Sequence, residues 1–214
     1  MLYKDPFIIH PGTFSLIQQI QAIPELSDFN LVGGTSLALQ IGHRNSIDID
    51  LFTNQTFVTD DLIEVLQAYF SVEVSSKKGT NNLFTFINDV KTDFIRHDYP
   101  LINAPQKEEG ITFLSASDIA AMKLNAIVNS GKRLKDFVDI YFLLEHYSLD
   151  EMISFYGVKY PHMNKMIALK SLSYFDDIDP EMDPPKMKVR LPILKIKQRI
   201  EKAILNSNMR FEAN

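Results

Sequence analysis

The stretch from Gly33 to Phe52 constrains the fold most strongly, because its hydrophobic pattern changes from helical to strand-like within a short length. Two glycines open the stretch directly after the apolar pair Leu31-Val32, as expected where a strand ends in a tight turn. The apolar residues that follow recur at helical spacing, at Leu37, Ala38 and Ile41. We therefore predict a strand, a tight turn, a helix and a second strand in that order.

The second strand carries the main functional information, because acidic residues alternate with apolar ones. The alternation predicts one face that packs on the core, formed by Ile47, Ile49 and Leu51. Asp48 and Asp50 then share the opposite face, with backbones roughly 6.5 to 7 Å apart, within reach of one divalent cation or of a closely spaced pair. Because ligands that are all oxygen favour hard cations, we expect Mg²⁺ or Mn²⁺.

The glycine turn supplies the second half of a candidate site. Glycine lacks a Cβ, so a ligand can approach the backbone closely, and the amide groups that open the next helix attract phosphate. The candidate phosphate-contacting residues are Gly33, Gly34, Thr35 and Ser36. Each half also has an ordinary interpretation, since two glycines after a strand are often only a turn, and two alternating aspartates are often a solvated strand face.

Together the two halves resemble the nucleotidyltransferase superfamily, in which Gly-Gly or Gly-Ser precedes Asp-x-Asp. Within it, the successive strings Gly-Gly-Thr-Ser-Leu-Ala-Leu, Gly-His-Arg and Ser-Ile-Asp-Ile-Asp-Leu-Phe resemble the AbiEii/AbiGii toxin-type family. The resemblance implies transfer of a nucleoside monophosphate from a nucleoside triphosphate (NTP) to an acceptor hydroxyl, with release of pyrophosphate. It also suggests transfer RNA (tRNA) as acceptor, a cognate antitoxin, and a role in a toxin-antitoxin or phage-defence system.

The superfamily pattern points to a third carboxylate on a neighbouring strand, and Asp93 in the run Lys91-Thr92-Asp93-Phe94-Ile95 is the best match. It would complete the metal set of Asp48 and Asp50. The alternative for Asp93 is an exposed carboxylate on an edge strand. Arg44 lies between the predicted helix and the second strand of the stretch from Gly33 to Phe52. It is a further candidate for contact with phosphate, or else a structural tie.

A second group of candidates lies in two later helices. Lys123 falls on an apolar stripe, where a cation needs a partner or must extend its ammonium to solvent over a packed stem. The resemblance assigns Lys123 to the triphosphate, and it assigns Asp136 to orient Lys123 or to bond the nucleotide. The alternative for Asp136 is a surface ion pair with Lys132, and Lys135 with Asp139 is a second candidate pair, with Asp139 interpreted as structural. The matching motif comprises Lys123-Leu124-Asn125-Ala126-Ile127 and Arg133-Leu134-Lys135-Asp136-Phe137-Val138-Asp139-Ile140-Tyr141-Phe142-Leu143-Leu144.

The predicted fold class is α/β (α+β), a nucleotidyltransferase-type mixed sheet flanked by helices over residues 1–115, then a helical lobe over 116–214 that closes the nucleotide cleft. Adjacent antiparallel strands are predicted near 71–76, 82–87 and 90–97. A short strand at 110–114 follows a polar loop over 100–109. Helices are predicted over 13–23, 59–70, 115–131, 132–146, 150–156, 163–172 and 194–206.

Composition narrows the chemistry and the location. The chain has no cysteine, which excludes a thiolate nucleophile and favours carboxylate-and-metal chemistry. No apolar run is long enough to span a bilayer, and the first residues lack the features of a signal peptide. We therefore expect a cytoplasmic protein without a membrane partner.

Charge leaves the question of nucleic-acid binding open. A net charge of −5 argues against indiscriminate binding to nucleic acid, but the segment from Lys186 to Lys202 is strongly basic, with Glu201 as its one acid. A solvated helix face is the preferred interpretation of this segment, and an RNA-binding surface is the alternative. Two rival functions also stay open: a catalytically silent nucleotide-binding or antitoxin-like interaction module, and a bare metal-binding protein.

Overall fold

The computed structural model describes residues 1–77 and 80–212, which form two compact units. The first unit contains Met1–Tyr99 and Ala104–Leu114, and the second contains Pro100–Asn103 and Ser115–Asn214. The predicted fold class is confirmed, since a mixed sheet is combined with flanking helices. Within the described ranges, no helix is both long enough and apolar enough to cross a membrane.

The strands all belong to the first unit. In chain order they are β1 (Asn30–Val32), β2 (Ile49–Thr53), β3 (Val72–Lys77), β4 (Asn82–Ile87), β5 (Val90–Arg96), β6 (Gln106–Glu108) and β7 (Ile111–Phe113). In the part of the chain that the structure describes, they form one sheet in the order β3-β4-β5-β2-β1-β7-β6. The predicted antiparallel neighbours β3, β4 and β5 are confirmed.

The centre of the sheet is mixed, because β2 pairs antiparallel with β1 and parallel with β5. In the parallel pair, Leu51 lies opposite Phe94, and all three of Leu51, Phe94 and Ile49 are fully buried in the core. Since side chains alternate between the two faces of a strand, the residues between these positions point to the other face of the sheet. Asp50 and Asp93 occupy that other face.

Helices α1 (Pro11–Gln21), α2 (Gly33–Ile41) and α3 (Thr59–Gln67) complete the first unit, with a short 3₁₀ helix at Pro24–Leu26. Apolar side chains of α1 and α3 join the strand residues in one core cluster, among them Leu16, Ile17, Ile20, Leu62 and Leu66. Proline suits the first position of α1, because that position needs no amide hydrogen. This core fixes the sheet face opposite the aspartates.

Two sequence predictions for this unit are wrong in detail. β2 begins at Ile49, and Ile47 is 51% exposed rather than part of the core face. The reason is local: the Thr35 hydroxyl donates to the backbone carbonyl of Asp48, so the segment before β2 is bonded to α2 instead of a neighbouring strand. The polar loop predicted over 100–109 also contains β6, which is short, polar and paired with β7.

The second unit is built from helices α4 (Ala116–Asn129), α5 (Leu134–Leu143), α6 (Leu149–Lys159), α7 (Lys165–Leu172) and α8 (Ile193–Leu205). The predicted start of α4 is confirmed, because the Ser115 hydroxyl accepts a hydrogen bond from the Asp118 amide at 3.1 Å. α6 begins with a capping box in which Ser148 and Glu151 each bond the other's backbone amide.

A buried ion pair joins α4 to α6 in this unit. Lys159 Nζ lies 2.8 Å from Asp118 Oδ1, and both side chains are fully buried. Asp118 also accepts hydrogen bonds from the amides of Ile102 and Asn103, and Lys159 donates to the carbonyl of Pro100. These bonds explain why the segment Pro100–Asn103 belongs to the second unit although it precedes the last strands of the first.

Candidate active site

The glycine turn forms the first turn of α2, directly against a predicted metal ligand. Gly33 has a left-handed backbone with φ of 71°, a conformation that favours glycine. A Cβ built on Gly33 would overlap Asp50 Oδ2, so the backbone of the turn lies against the carboxylate of β2. Because Gly33 has no side chain, the amides that open α2 and the Asp50 carboxylate lie close together.

Asp50 and Asp93 are direct partners across the parallel pair of β2 and β5. Asp93 is buried, with 6% of its surface exposed, so the alternative of an exposed edge-strand carboxylate is wrong. Its Oδ2 is 2.9 Å from Lys91 Nζ, whereas its buried Oδ1 has no hydrogen-bond partner within the described residues. A buried carboxylate oxygen without a partner is costly unless a ligand or proton satisfies it.

Asp48 lies just before β2 and is half-buried. The structure thus places Asp48 at the end of a loop, and Asp50 and Asp93 on paired strands. Across the described residues, no three His, Cys, Asp or Glu side chains are already arranged to hold a metal ion. The donor set still suits a hard divalent cation, because it consists of carboxylate oxygens and includes the partnerless Oδ1 of Asp93.

Lys91 is a residue of this face that the sequence predictions did not include. Partial burial acts to lower the pKa of Lys91, but the hydrogen bond and charge of Asp93 and the charges of Asp50 and Asp48 outweigh it, so the pKa is raised above 10.5. The ammonium therefore responds to all three predicted metal ligands. The available signal was its position two residues before Asp93, which places both side chains on one strand face.

The side chains of Thr35 and Ser36 are occupied within the protein. The Thr35 hydroxyl bonds to Ser46 Oγ at 2.9 Å and to the Asp48 carbonyl, and Ser36 Oγ accepts from the Gln40 side-chain amide at 3.0 Å. Both residues are 1% exposed. A phosphate contact at this turn would therefore come from backbone amides rather than from these hydroxyls.

Arg44 is packed behind the turn. It is 1% exposed, and its Nη1 donates to the carbonyl of Asn45 at 3.0 Å. A Cβ built on Gly34 would overlap Arg44 Nη2, so the second glycine makes room for the guanidinium. This burial favours the structural tie for Arg44 over direct contact with phosphate.

The second unit contains a separate charged cluster around Lys123. Its ammonium lies 2.8 Å from Asp136 Oδ1 and 2.7 Å from Asp139 Oδ2, and all three side chains are at least 92% buried. The alternative in which Lys123 extends to solvent is therefore wrong. The surface pair proposed for Asp136 is also wrong, because Asp136 is buried against Lys123. Lys135, the neighbour expected for Asp139, contacts Asp183 instead.

Part of the basic segment is also committed to the fold. Arg199 donates to Glu145 Oε1 at 2.5 Å and to the Tyr141 carbonyl at 3.1 Å, and its guanidinium carbon lies 3.6 Å from the centroid of the Tyr141 ring. Arg199 therefore holds α8 on α5 and is unsuited to contact RNA. The cations of the segment that are exposed are Lys186, Lys188, Arg190, Lys195 and Lys202.

Comparison with known proteins was consistent with the resemblance. Residues 16–202 match the family model described as "Nucleotidyl transferase AbiEii toxin, Type IV TA system". An uncharacterized protein of Aquifex aeolicus (strain VF5) is 32% identical over 173 residues, which cover 78% of this chain and 82% of the relative. The match confirms the family resemblance predicted from the sequence.

The comparison with solved structures gives a likeness in fold to MenT4. The nucleotidyltransferase toxin MenT4 of Mycobacterium tuberculosis H37Rv has a TM-score of 0.53 at 13% identity, covering 89% of this chain and 82% of that one. JHP933 of Helicobacter pylori has a TM-score of 0.48 at 17% identity, covering 96% of this chain and 97% of that one. At these identities the likeness to MenT4 supports the fold alone.

Proposed function

Because the chain belongs to the AbiEii family of nucleotidyltransferase toxins, we propose that it transfers a nucleoside monophosphate from an NTP to a hydroxyl of an RNA acceptor, namely tRNA. The observation that carries this proposal is the meeting of the Gly33 backbone with the Asp50 carboxylate, beside Asp93 in the next strand. The backbone amides that we assign to phosphate then lie beside the two carboxylates that we assign to the metal.

The turn gives the chain a means to hold the triphosphate. The amides at the start of α2 lack partners within the helix and carry the positive end of its dipole, so they suit the β and γ phosphates. Gly33 and Gly34 would leave this backbone accessible, while the buried hydroxyls of Thr35 and Ser36 would keep the turn and the segment before β2 in place. The positioning of the triphosphate is thus a backbone function.

Asp48, Asp50 and Asp93 are the residues we assign to Mg²⁺ or Mn²⁺. When bound, such a cation would neutralise phosphate charge and favour departure of pyrophosphate. Asp93 Oδ1 supports this assignment, because it is buried and needs a partner that the described protein atoms do not supply.

In the proposed reaction, the acceptor hydroxyl oxygen bonds to the α-phosphorus. The bond from the α-phosphorus to the oxygen that bridges to the β-phosphorus breaks, and pyrophosphate leaves. The hydroxyl proton is released in the same reaction, and water can accept it. Holding the acceptor hydroxyl oxygen in line with the α-phosphorus and the departing pyrophosphate oxygen would be the largest contribution of the protein to the rate.

Lys123 and Asp136 remain candidates from the resemblance. Their ion pair suits a role in which Asp136 fixes the position of the Lys123 ammonium. Since Asp139 also contacts that ammonium, and Arg133 Nε lies 3.8 Å from Asp136 Oδ2, the charge of Lys123 is already shared between two carboxylates. We therefore propose that Lys123 helps to orient the triphosphate rather than to neutralise its charge. This is a weaker role than the one that the family resemblance implies.

The acceptor and the biological setting follow the family. An RNA acceptor would be engaged through the exposed cations of the segment between Lys186 and Lys202, and binding would weaken as salt rises. We propose that the chain acts in the cytoplasm as the toxin of a pair with a cognate antitoxin protein.

A labelling experiment tests this function. The protein is incubated with each α-labelled NTP, Mg²⁺ and total cellular RNA, and we expect one nucleotide to label a discrete RNA class of tRNA size. Asp50→Asn should abolish the labelling. Asp28→Asn removes the same charge from an exposed position of the same unit and should leave it unchanged.

The rival function gives a different result in the same experiment. A catalytically silent nucleotide-binding module would bind an NTP yet label no RNA and no protein with any of the four nucleotides. That result would overturn the proposed transfer, whereas labelling of a protein acceptor would overturn only the choice of RNA.

A further inference from the structure

Lys91 places a positive charge among the carboxylates Asp48, Asp50 and Asp93 of the first unit. Lys91 and Asp93 lie two residues apart on β5, so their side chains share one face of the sheet, and Lys91 Nζ is 2.9 Å from Asp93 Oδ2. The Lys91 side chain is 47% exposed, while that of Asp93 is 9% exposed. A half-exposed cation therefore holds one oxygen of a buried carboxylate.

The two oxygens of Asp93 have different surroundings. Oδ2 faces the ammonium of Lys91, and Oδ1 is buried without a hydrogen-bond partner in the ranges that the structure describes. Asp50, the register partner of Asp93, adds a second carboxylate to the same face. Lysine is a compact charge on a flexible stem, so it can leave Asp93 for solvent without moving the strand.

We propose that Lys91 is a positioning residue that competes with a divalent cation for Asp93. This inference depends on the proposed function, because it takes Asp48, Asp50 and Asp93 as the metal ligands. Without metal, Lys91 neutralises part of the negative charge and keeps Asp93 in place. When a divalent cation binds, the ammonium is repelled by a like charge and turns to solvent.

If the two cations compete, Lys91 lowers the affinity of the site for a divalent cation. A variant without the ammonium retains every carboxylate oxygen and loses the competing charge, so it should bind metal more tightly. A purely structural lysine would have the opposite signature, since its loss would disorder Asp93 and weaken metal binding.

Calorimetric titration with Mn²⁺ alone, without nucleotide, tests this proposal. Lys91→Met, which retains the apolar stem, should lower the Kd for Mn²⁺ by roughly three- to tenfold, where tenfold corresponds to about 1.4 kcal/mol. Lys91→Arg retains the charge and should stay within about twofold of the wild type. Circular dichroism establishes that each variant is folded.

Lys107→Met is the matched control. Lys107 is an exposed lysine on β6, four strand positions from β5 in the same sheet, which is roughly 19 Å away. Lys107→Met removes one positive charge from the chain, as Lys91→Met does. If Lys107→Met tightens Mn²⁺ binding as much as Lys91→Met, the effect is one of net charge and the proposal is overturned.

A double variant tests whether Lys91 acts through Asp93. In the Asp93→Asn background, Lys91→Met should change the Kd for Mn²⁺ by less than about twofold, because the carboxylate for which the two cations compete is gone. An undiminished effect in that background would contradict competition at Asp93.

Failure of this inference can be separated from failure of the proposed function. If the wild type binds Mn²⁺ and Lys91→Met binds it equally or more weakly, only the role of Lys91 is overturned. If neither protein binds Mn²⁺ at millimolar concentration, the metal assignment fails together with this inference. If Lys91→Met binds Mn²⁺ more tightly while no NTP labels an acceptor, competition at Asp93 is supported and the proposed transfer reaction is overturned.

Discussion

Two lysine-carboxylate clusters, one around Lys91 and one around Lys123, differ in how completely their charges are paired. In the second unit, the Lys123 ammonium lies within 2.8 Å of Asp136 and 2.7 Å of Asp139, and all three side chains are buried. In the first unit, Lys91 is half-exposed and bonds one oxygen of Asp93, whose other oxygen has no partner in the described residues. The Lys123 cluster is closed, since both of its carboxylates contact the ammonium, whereas the cluster of Lys91 and Asp93 is open in the sense that one carboxylate oxygen lacks a partner within the described residues.

This difference separates stability from chemistry. A buried ion pair gives little net stability over apolar residues, but removing one partner is strongly destabilising because a buried charge is left behind. The pair of Lys91 and Asp93 contributes less, because the half-exposed ammonium of Lys91 is screened by solvent. We therefore expect substitutions in the Lys123 cluster to act mainly on folding, and substitutions around Asp50 and Asp93 to act mainly on ligand binding.

The largest expected effect is that of Lys123→Met. It leaves Asp136 and Asp139 buried without their shared cation, so we expect the free energy of unfolding to fall by about 3 to 5 kcal/mol. Urea denaturation followed by circular dichroism measures this. Lys170→Met removes a lysine from an exposed position of α7 in the same unit and should change stability by less than about 0.5 kcal/mol.

A Lys123 that contacted only the triphosphate would predict that Lys123→Met, which keeps the apolar stem packed, melts almost normally. The buried pairs predict a large loss of stability instead. If the variant unfolds at the wild-type urea concentration, the Lys123 cluster is not closed and the comparison between the clusters is broken.

Gly33→Ala should have the next largest effect. The substitution adds a left-handed strain of about 1 to 2 kcal/mol and a methyl group that overlaps Asp50 Oδ2, so Asp50 must move. We expect a further loss of about 1 to 3 kcal/mol from that overlap and a loss of metal-dependent NTP binding. Urea denaturation and calorimetry measure the two effects.

Gly110→Ala is the control for Gly33→Ala. Gly110 has a φ of 79°, in the same left-handed range, but the nearest atom to its added Cβ is Gln18 Nε2 at 4.0 Å. It therefore reports the backbone strain alone. Equal effects of the two substitutions on stability and on NTP binding would show that Asp50 is not held against the turn.

The smallest effect on stability is expected for Lys91→Met, at most about 1 kcal/mol near neutral pH because the lysine is half-exposed. Its pH dependence is diagnostic. The pKa of Lys91 is raised in the folded protein above the ordinary 10.5, so its stabilising contribution is fully present below that value and is lost as the pH rises through the raised pKa.

Stability curves of the wild type and of Lys91→Met, measured from pH 7 to 11.5, show whether this holds. The difference between them should stay constant up to about pH 10 and shrink above it. A difference that grows above pH 10 would contradict the charge pairing of Lys91 with its neighbouring carboxylates.

The sequence was sufficient to predict the organising strand, turn and helix because each has a local pattern. Alternation placed Asp50 opposite the core, and the glycines marked the turn against it. The choice of Asp93 came from the family resemblance; its placement beside Asp50 depends on the parallel pairing of β2 with β5, which no local pattern determines. The roles of these residues as ligands stay predictions.

Apart from Lys91, which lies two residues before Asp93 on the same strand, the features missed from the sequence depend on long-range contacts. Arg199 belongs to a basic run that is typical of a solvated face, but its contact with Glu145 joins helices far apart in the chain. Asp118 has the pattern of a helix cap, and its buried pair with Lys159 depends on α6 packing against α4. Burial of a charge is set by tertiary packing, so composition and periodicity do not predict it.

The most direct test of the comparison between the clusters is Mn²⁺ binding to two matched variants. Asp50→Asn and Asp136→Asn each replace one carboxylate with an amide of the same shape, one in each cluster, and calorimetry of the folded proteins gives the Kd. We predict that Asp50→Asn weakens Mn²⁺ binding at least tenfold, a loss of about 1.4 kcal/mol or more, and that Asp136→Asn leaves it within about twofold. Unchanged binding in Asp50→Asn, or an equal loss in Asp136→Asn, would contradict the assignment of the open cluster as the metal site.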